Sequence, residues 1–182
     1  MPKNEFQKFI RHDLVLLFVG FNPVIKSLKK GHYFSSFPST WKSSLWYQLH
    51  YAGFSEYLDP EDKADVRLFG DSEKRLGITD LVDDDFKTNP KQIKKQNIIR
   101  GRARLTQEIR KYKPKVVCFL GKDTYRKFRD LSNREPVKYG IQNFCVGESK
   151  IYLAAFPSSM DGSANKKIKI LKDLYKLYMN YF

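Results

Sequence analysis

Cysteine and histidine are scarce in this sequence of 182 residues, which contains two cysteines and three histidines. Two cysteines cannot supply the four thiolates of a common iron–sulfur cluster or of a cysteine-rich zinc site. One of them, Cys118, lies inside the apolar run 116–120 and is expected to be a buried free thiol. Because the three histidines are also scattered along the chain, we expect no metal, no iron–sulfur cluster and no other cofactor.

Long apolar runs and several catalytic motifs are missing as well. No run approaches the roughly 20 apolar residues that cross a bilayer, and residues 1–5 open no signal peptide. The sequence contains neither a complete phosphate-binding loop G-x-x-x-x-G-K-S/T nor the motifs G-x-S-x-G and H-E-x-x-H. Gly121-Lys122 matches only part of the first motif, and we interpret Gly121 as a tight turn between a strand and a helix. We therefore expect a soluble, intracellular protein.

Acidic residues are outnumbered, since 20 Asp and Glu stand against 34 Lys and Arg and give a formal net charge of +14. This excess favours a polyanionic partner, nucleic acid first and an acidic membrane surface second. A general solubility preference of a Lys-rich proteome is the alternative explanation. Hydrophobic residues make up 41% of the chain and aromatic residues 15%, so the chain can bury a sizeable core and disorder is not expected.

Short apolar runs alternate with segments of helical spacing along most of the chain. Strands are predicted at 14–19, 116–120, 141–146 and 151–155, with a further strand or extended segment at 76–82. Helices are predicted at 41–51, 97–112, 122–131 and 165–178, whereas 22–40 is predicted to be a loop and 55–75 to be helical or irregular. This alternation predicts an α/β fold with a mainly parallel sheet covered on both faces, in one domain over residues 1–182.

Two Pro-containing turns follow predicted strands at opposite ends of the sequence. Gly20-Phe21-Asn22-Pro23 follows the first strand, and Phe156–Met160 follows the last. Ligands bind at the carboxyl ends of strands in open α/β sheets, so these turns predict a site built from both ends of the chain. Asn-Pro is also an ordinary turn marker. The continuation through Ser27 and the aromatic segment 31–34 favours a loop that sandwiches a flat ring and contacts its edges.

The segment 157–162 has two interpretations. Its Ser, Asp and Gly residues suit a turn that caps the last helix. Alternatively, the segment is a loop that enters a DNA duplex, with Met160 as an apolar wedge between bases. The residue types alone leave both interpretations open.

Seven Lys or Arg and no carboxylate lie between residues 87 and 107. A solvated helix face is the ordinary explanation of a charge run, but the lack of acidic residues within the segment favours phosphate contact. An acidic cluster precedes it, at Asp80, Asp83, Asp84 and Asp85. Their near-consecutive spacing does not focus them on one point, so we favour a capping or exposed loop over a divalent-cation site.

Taken in order, these motifs resemble those of the mismatch-specific uracil/thymine-DNA glycosylase family. The matching segments are 20–24, 31–34, 45–54, 77–82, 112–125 and 157–159. The resemblance extends from about residue 14 to the C-terminus and implies a three-layer αβα sandwich with a mainly parallel central sheet, as in uracil-DNA glycosylases. The sequence departs from the family pattern at Val24, where the family has Gly, in a longer loop over 37–46, and at Arg102-Ala103-Arg104, where the family has Gly-Gly-Arg.

The resemblance implies a monofunctional DNA glycosylase of base excision repair. Such an enzyme flips uracil out of a G·U mismatch and hydrolyses its N-glycosidic bond, without a cofactor. Its partner would be double-stranded DNA with a damaged or mismatched base, and we expect a monomer, cytoplasmic at the nucleoid in a bacterium or nuclear in a eukaryote. The departures leave open another damaged base, such as hypoxanthine or ethenocytosine, and a non-catalytic DNA-binding member of the fold.

The resemblance also implies roles for residues of the base pocket. Asn22 would hold the attacking water, and Thr79 would help to place it. An amide is not a strong general base, so the rate would come from positioning and from stabilising the departing base. Phe34 would stack on the base, while its backbone N–H and that of Phe21 would bind the base edge. Ser27 lies where relatives admit or exclude the thymine methyl, and favours uracil.

Other residues are implied to contact the duplex. Met160, with Asp161 and Gly162, would fill the space left by the flipped nucleotide. The remaining contacts expected with DNA are Ser158, Ser159, Lys26 and Arg104. Basic side chains at phosphates would make binding strongly salt-dependent.

Overall fold

The computed structural model describes residues 9–87 and 89–182. Its strands are β1 Leu16–Gly20, β2 Leu76–Asp80, β3 Val116–Leu120, β4 Gly140–Val146 and β5 Ser149–Ala154. Its helices are α1 Ile25–Lys30, α2 Leu45–Ala52, α3 Ala64–Phe69, α4 Lys95–Tyr112, α5 Lys122–Arg129 and α6 Ala164–Met179, with a short 3-10 turn at Pro90–Gln92. No helix in the described part of the chain is both long and apolar enough to cross a membrane.

The five strands form one sheet in the order β2-β1-β3-β5-β4. β1 pairs in parallel with both β2 and β3, and β3 pairs in parallel with β5. Every residue of β1, β2 and β3 is buried, as expected for strands covered on both faces. β4 pairs antiparallel with β5 through a hairpin at Gly147, and its residues alternate in exposure because it lies at the sheet edge. The prediction of a mainly parallel sheet is confirmed.

Helices cover both faces of the sheet. Successive side chains of a strand point to opposite faces, so Leu16 and Phe18 join a core cluster with α2, α3 and α6. Leu17 and Val19 join a second cluster with α4 and α5. The predicted three-layer αβα sandwich is confirmed.

Two helices differ from the sequence-based expectation. α1 lies within the segment predicted as a loop; three of its six residues are lysines, which give it no long apolar stripe, and it ends at Gly31 with φ of +74°. The helix predicted over 41–51 begins instead at Leu45, because the Ser44 hydroxyl accepts a hydrogen bond from the Trp46 N–H and caps the helix there. Its predicted end at Gly53 is confirmed by a left-handed φ of +104°.

Candidate active site

A cleft of about 940 Å³ opens beyond the carboxyl ends of β1, β3 and β5. Its lining residues fall within five segments, together with Asp80: 21–27, 33–37, 43–45, 120–127 and 156–161. The two turns that the sequence predicted to form one site therefore lie in the same cleft. The parallel pairing of β1, β3 and β5 brings them together although about 130 residues separate them in sequence.

Asn22 lies two residues after the end of β1 and lines the cleft in a half-buried position. Its side-chain Nδ2 donates a hydrogen bond to the Lys87 carbonyl at 2.8 Å and another to the Pro23 carbonyl at 3.1 Å. Both N–H groups of the amide are thus used, and Oδ1 remains as a hydrogen-bond acceptor. The arrangement fixes the orientation of the amide and suits Oδ1 to accept a hydrogen bond from a water or a ligand.

Two aromatic residues form adjoining parts of the cleft wall. Phe34 has φ of +49°, an uncommon backbone conformation for a bulky residue, and its ring lies 6.1 Å from that of Phe156. Phe21 is largely buried, and the Lys127 ammonium lies 4.1 Å from the centre of its ring. Backbone strain of this kind concentrates at functional sites, where it presents a side chain in a fixed orientation. Phe34 is therefore held where it can stack on a flat ligand.

Ser27 and Thr79 occupy different environments. Ser27 lies buried on α1 at the cleft wall, where its hydroxyl lies 2.8 Å from that of Ser36. Thr79 lies buried in β2, opposite Val19 in the strand register, and is not part of the cleft wall. Its role in placing a water stays a prediction.

The turn after β5 is fixed from behind by two side chains. The Pro157 carbonyl accepts hydrogen bonds from Gln48 Nε2 at 3.0 Å and from Lys167 Nζ at 2.9 Å, and Lys167 also donates to the Ser159 carbonyl. Lys167 is only 4% exposed, and burial lowers the pKa of its amine. Met160 follows as a fully exposed side chain. The chain thus holds a rigid turn with an apolar residue in solvent at its tip.

The same turn contains the other residues that were predicted to contact DNA. Ser158, Ser159 and Asp161 line the cleft. The Asp161 carboxylate accepts a hydrogen bond from the Tyr139 hydroxyl at 2.7 Å. Gly162 has φ of +102°, which favours glycine at that position. Contact between these residues and DNA stays a prediction.

Basic residues line the cleft from two sides. Lys26 approaches from α1, and Lys122, Arg126 and Lys127 form a wall on α5. Sequence reasoning missed the α5 residues because it interpreted Gly121-Lys122 only as a turn. The signal was available, since a helix that follows a central strand directly places its first turns at the carboxyl edge of the sheet.

Arg104 is held by protein groups instead of facing the cleft. Its guanidinium donates to the Asp80 carbonyl and forms ion pairs with Asp83 at 3.2 Å and with Glu108. Arg100 and Arg102 likewise pair with carboxylates outside the 87–107 segment. The segment contains no carboxylate of its own, but acidic residues outside it pair with these arginines, so a lack of acidic residues within it does not argue for phosphate contact. Contact of Arg104 with DNA stays a prediction that requires these ion pairs to open.

Asp80 is the principal residue that sequence reasoning misplaced. It was grouped with an acidic loop expected to be capping or exposed, whereas it is 3% exposed at the end of β2 and lines the cleft. Burial raises the pKa of its carboxyl to about 7, with Asp83 adding to the rise and Arg104 opposing it. The available signal was its place at the carboxyl end of a strand beside β1.

Comparison with known families agrees with this geometry. The model of the uracil DNA glycosylase superfamily matches residues 7–175, which include every segment of the cleft wall. The chain belongs to the uracil-DNA glycosylase superfamily. This superfamily member is accordingly a DNA glycosylase, a hydrolase of base excision repair that acts on DNA. Its assignment to the mismatch-specific family stays a prediction.

Proposed function

We propose that this DNA glycosylase is monofunctional and excises uracil from G·U mismatches in duplex DNA. The observation that carries the proposal is the fixed amide of Asn22, which presents one acceptor oxygen in a cleft beside an aromatic wall. The reaction needs a water aligned with C1′ of a flipped nucleotide and little other covalent chemistry. A positioned acceptor supplies that alignment.

The proposed reaction is hydrolysis. The flipped nucleotide enters the cleft, and Asn22 Oδ1 accepts a hydrogen bond from a water on the far side of the sugar from the base. The water oxygen bonds to C1′ and the water gives up one proton, while the N-glycosidic bond breaks and its electron pair leaves with the base. Uracil leaves as a stabilised anion, whereas ordinary cytosine is a poorer leaving group. The products are free base and an abasic site.

The aromatic wall provides the proposed recognition of the base. Phe34 stacks on the flipped ring, and the backbone N–H groups of Phe21 and Phe34 bind its edge. Ser27 lies buried nearby, with its hydroxyl against Ser36. The Ser27–Ser36 hydroxyl pair offers a methyl group no apolar contact, so we expect uracil to be accepted better than thymine.

The exposed turn after β5 supplies the proposed contact with the duplex. Met160 is fully exposed and the backbone on its N-terminal side is fixed by Lys167. An apolar side chain on a rigid turn is suited to enter the base stack where the nucleotide has left. The basic wall of α5, formed by Lys122, Arg126 and Lys127, then lies where it can contact phosphates.

The decisive test is base release from a labelled duplex with one G·U mismatch. We expect native protein to leave an abasic site and Asn22→Ala to lose at least about 10²-fold in single-turnover rate, because the water loses its positioning group. Duplex binding should survive the change. Asn143→Ala, on the exposed edge strand β4, is the matched control and should keep the native rate.

A second candidate is a glycosylase for a larger damaged base. The cleft volume of about 940 Å³ is larger than one pyrimidine requires. In addition, Val24 replaces the glycine of the mismatch-specific pattern. Base release from a panel of duplexes with hypoxanthine or ethenocytosine distinguishes the uracil glycosylase from this second candidate. Release of these bases without release of uracil would favour the second candidate, and binding without release of any base would indicate a non-catalytic member.

A further inference from the structure

Asp80 is a buried carboxyl with an unusual lack of partners. It is 3% exposed, and no hydrogen bond reaches its carboxylate oxygens from residues 9–87 or 89–182. The bond that Arg104 donates goes to the Asp80 backbone carbonyl instead. A buried carboxylate kept only for structure is normally paired or hydrogen-bonded, because desolvation of the charge is costly. Asp80 instead belongs to the lining of the cleft.

The carboxyl of Asp80 lies close to Gly20 and to the tip of the Phe34 ring. Asp80 lies opposite Gly20 in the register of β1 and β2. Its Oδ1 is 2.2 Å from the point that a Cβ on Gly20 would occupy, and the tip of the Phe34 ring is 3.2 Å from the same point. Gly20 therefore leaves room for both groups at one corner of the cleft. Asn22 lies two residues after Gly20 in the sequence.

The chemistry of the reaction calls for a proton acceptor near the attacking water. A water that bonds to C1′ must lose a proton, and the neutral amide of Asn22 is a poor base. The charged and titratable groups around Asp80 are Arg104 on α4, Asp83 in the loop after β2, and Tyr33 in the loop after α1. Burial raises the pKa of the Asp80 carboxyl to about 7, with Arg104 opposing the rise and Asp83 adding to it. A general base works best when its pKa lies near the working pH.

We propose that Asp80 is the general base of this site, which takes the proton from the water that Asn22 orients. The inference rests on the proposed glycosylase function and adds a second catalytic residue to it. As the water oxygen bonds to C1′, its proton passes to an Asp80 oxygen and the N-glycosidic electron pair leaves with the base. The protonated carboxyl later returns the proton to solvent. Asn22 orients the water, and Asp80 removes its proton.

The pH dependence of base release tests this role. Ionised Asp80 is the active form, so the native single-turnover rate on a G·U duplex should rise with pH and level off above about pH 7. Asp80→Asn should lower the rate at pH 8 by roughly 10² to 10⁴-fold and remove the rise. Asp84→Asn is the matched control, because Asp84 belongs to the same acidic run but pairs with Arg100 at the surface. It should keep the native rate and profile.

A second variant keeps the test decisive if Asp80→Asn does not fold. Asp83 raises the pKa of Asp80, so Asp83→Asn should move the midpoint of the native rise to lower pH. Native rate in Asp80→Asn, or a lowered rate with an unchanged pH rise, would overturn the role of Asp80. An unmoved midpoint in Asp83→Asn would do the same. A native protein that releases no base from any duplex would instead remove the proposed function and, with it, this role.

Discussion

At the scale of single residues, the site depends on where polar groups are left without partners. Asn22 has its amide hydrogens bound by two carbonyls and its oxygen left as an acceptor. Asp80 has a carboxyl that no described donor reaches. Only one of these two side chains could be assigned to the site from the sequence. Asn22 belongs to an Asn-Pro turn after a strand, which is a recognisable local pattern. Burial of Asp80 depends on Gly20 and on α4, which lie 60 and at least 15 residues away from it in sequence.

The raised pKa of Asp80 has a consequence for stability. In the unfolded chain the carboxyl titrates near its ordinary value of about 3.9, whereas in the folded protein it titrates at about 7. Between these pH values the folded state binds more protons, so the free energy of unfolding falls as pH rises from about 4 to about 7. Asp80→Asn removes this dependence.

The measurement is thermal unfolding of native protein and Asp80→Asn between pH 4 and pH 8. We expect the variant to melt several degrees higher than native protein at pH 8, with the difference shrinking towards pH 4. Asp84→Asn should follow the native curve. A variant that is less stable at pH 8 would show that the carboxyl makes favourable contacts when ionised.

At the scale of secondary-structure elements, local patterns predicted most of the fold. β3 begins and ends where its apolar run predicts, and Gly53 ends α2 as expected. α1 was missed because six residues with three lysines carry no periodic signal. The arginines of α4 were interpreted without their partners, since Asp83, Asp84 and Asp130 reach them only in the folded chain. Contacts between distant elements have no signature in a local window of sequence.

Lys167 on α6 links that helix to the turn that carries Met160. Lys167→Met keeps most of the side-chain volume but removes the donor that fixes the Pro157 and Ser159 carbonyls. We expect about a tenfold or greater loss in the single-turnover rate from a looser turn, with the fold retained through the remaining Gln48 bond. The measurement is base release together with circular dichroism.

Lys166→Met provides the comparison for this change. Lys166 is exposed and neighbours Lys167 on the same helix, so it should leave the rate unchanged. Equal effects of the two substitutions would indicate a general loss of positive charge instead of a loosened turn.

At the scale of the whole molecule, the net charge of +14 is distributed so that part of it faces the cleft. Phosphate contacts release counterions, so affinity for duplex DNA should fall steeply with salt. Neutralising one of Lys122, Arg126 or Lys127 with Gln should reduce the slope of log affinity against log salt by about 1. Fluorescence anisotropy with a labelled duplex between 50 and 200 mM salt, a range of about fourfold, measures that slope.

Lys172→Gln serves as the control for the salt measurement. Lys172 is exposed on α6 and does not belong to the cleft wall. Its removal changes the net charge by the same amount, so a slope that falls equally in this variant would mean that overall charge, and not the α5 wall, governs binding.

The strand order β2-β1-β3-β5-β4 also determines when, during synthesis of the chain, the cleft is complete and the protein can become active. One wall of the cleft follows β1, and another follows β5 near the end of the described chain. Because β5 must pair beside β3 before the second wall exists, a nascent chain that has emerged only as far as α5 holds Asn22 but has no closed site. Activity should therefore arise only after residues 149–161 have left the ribosome, and the partly made enzyme is kept from acting on nucleic acid around it.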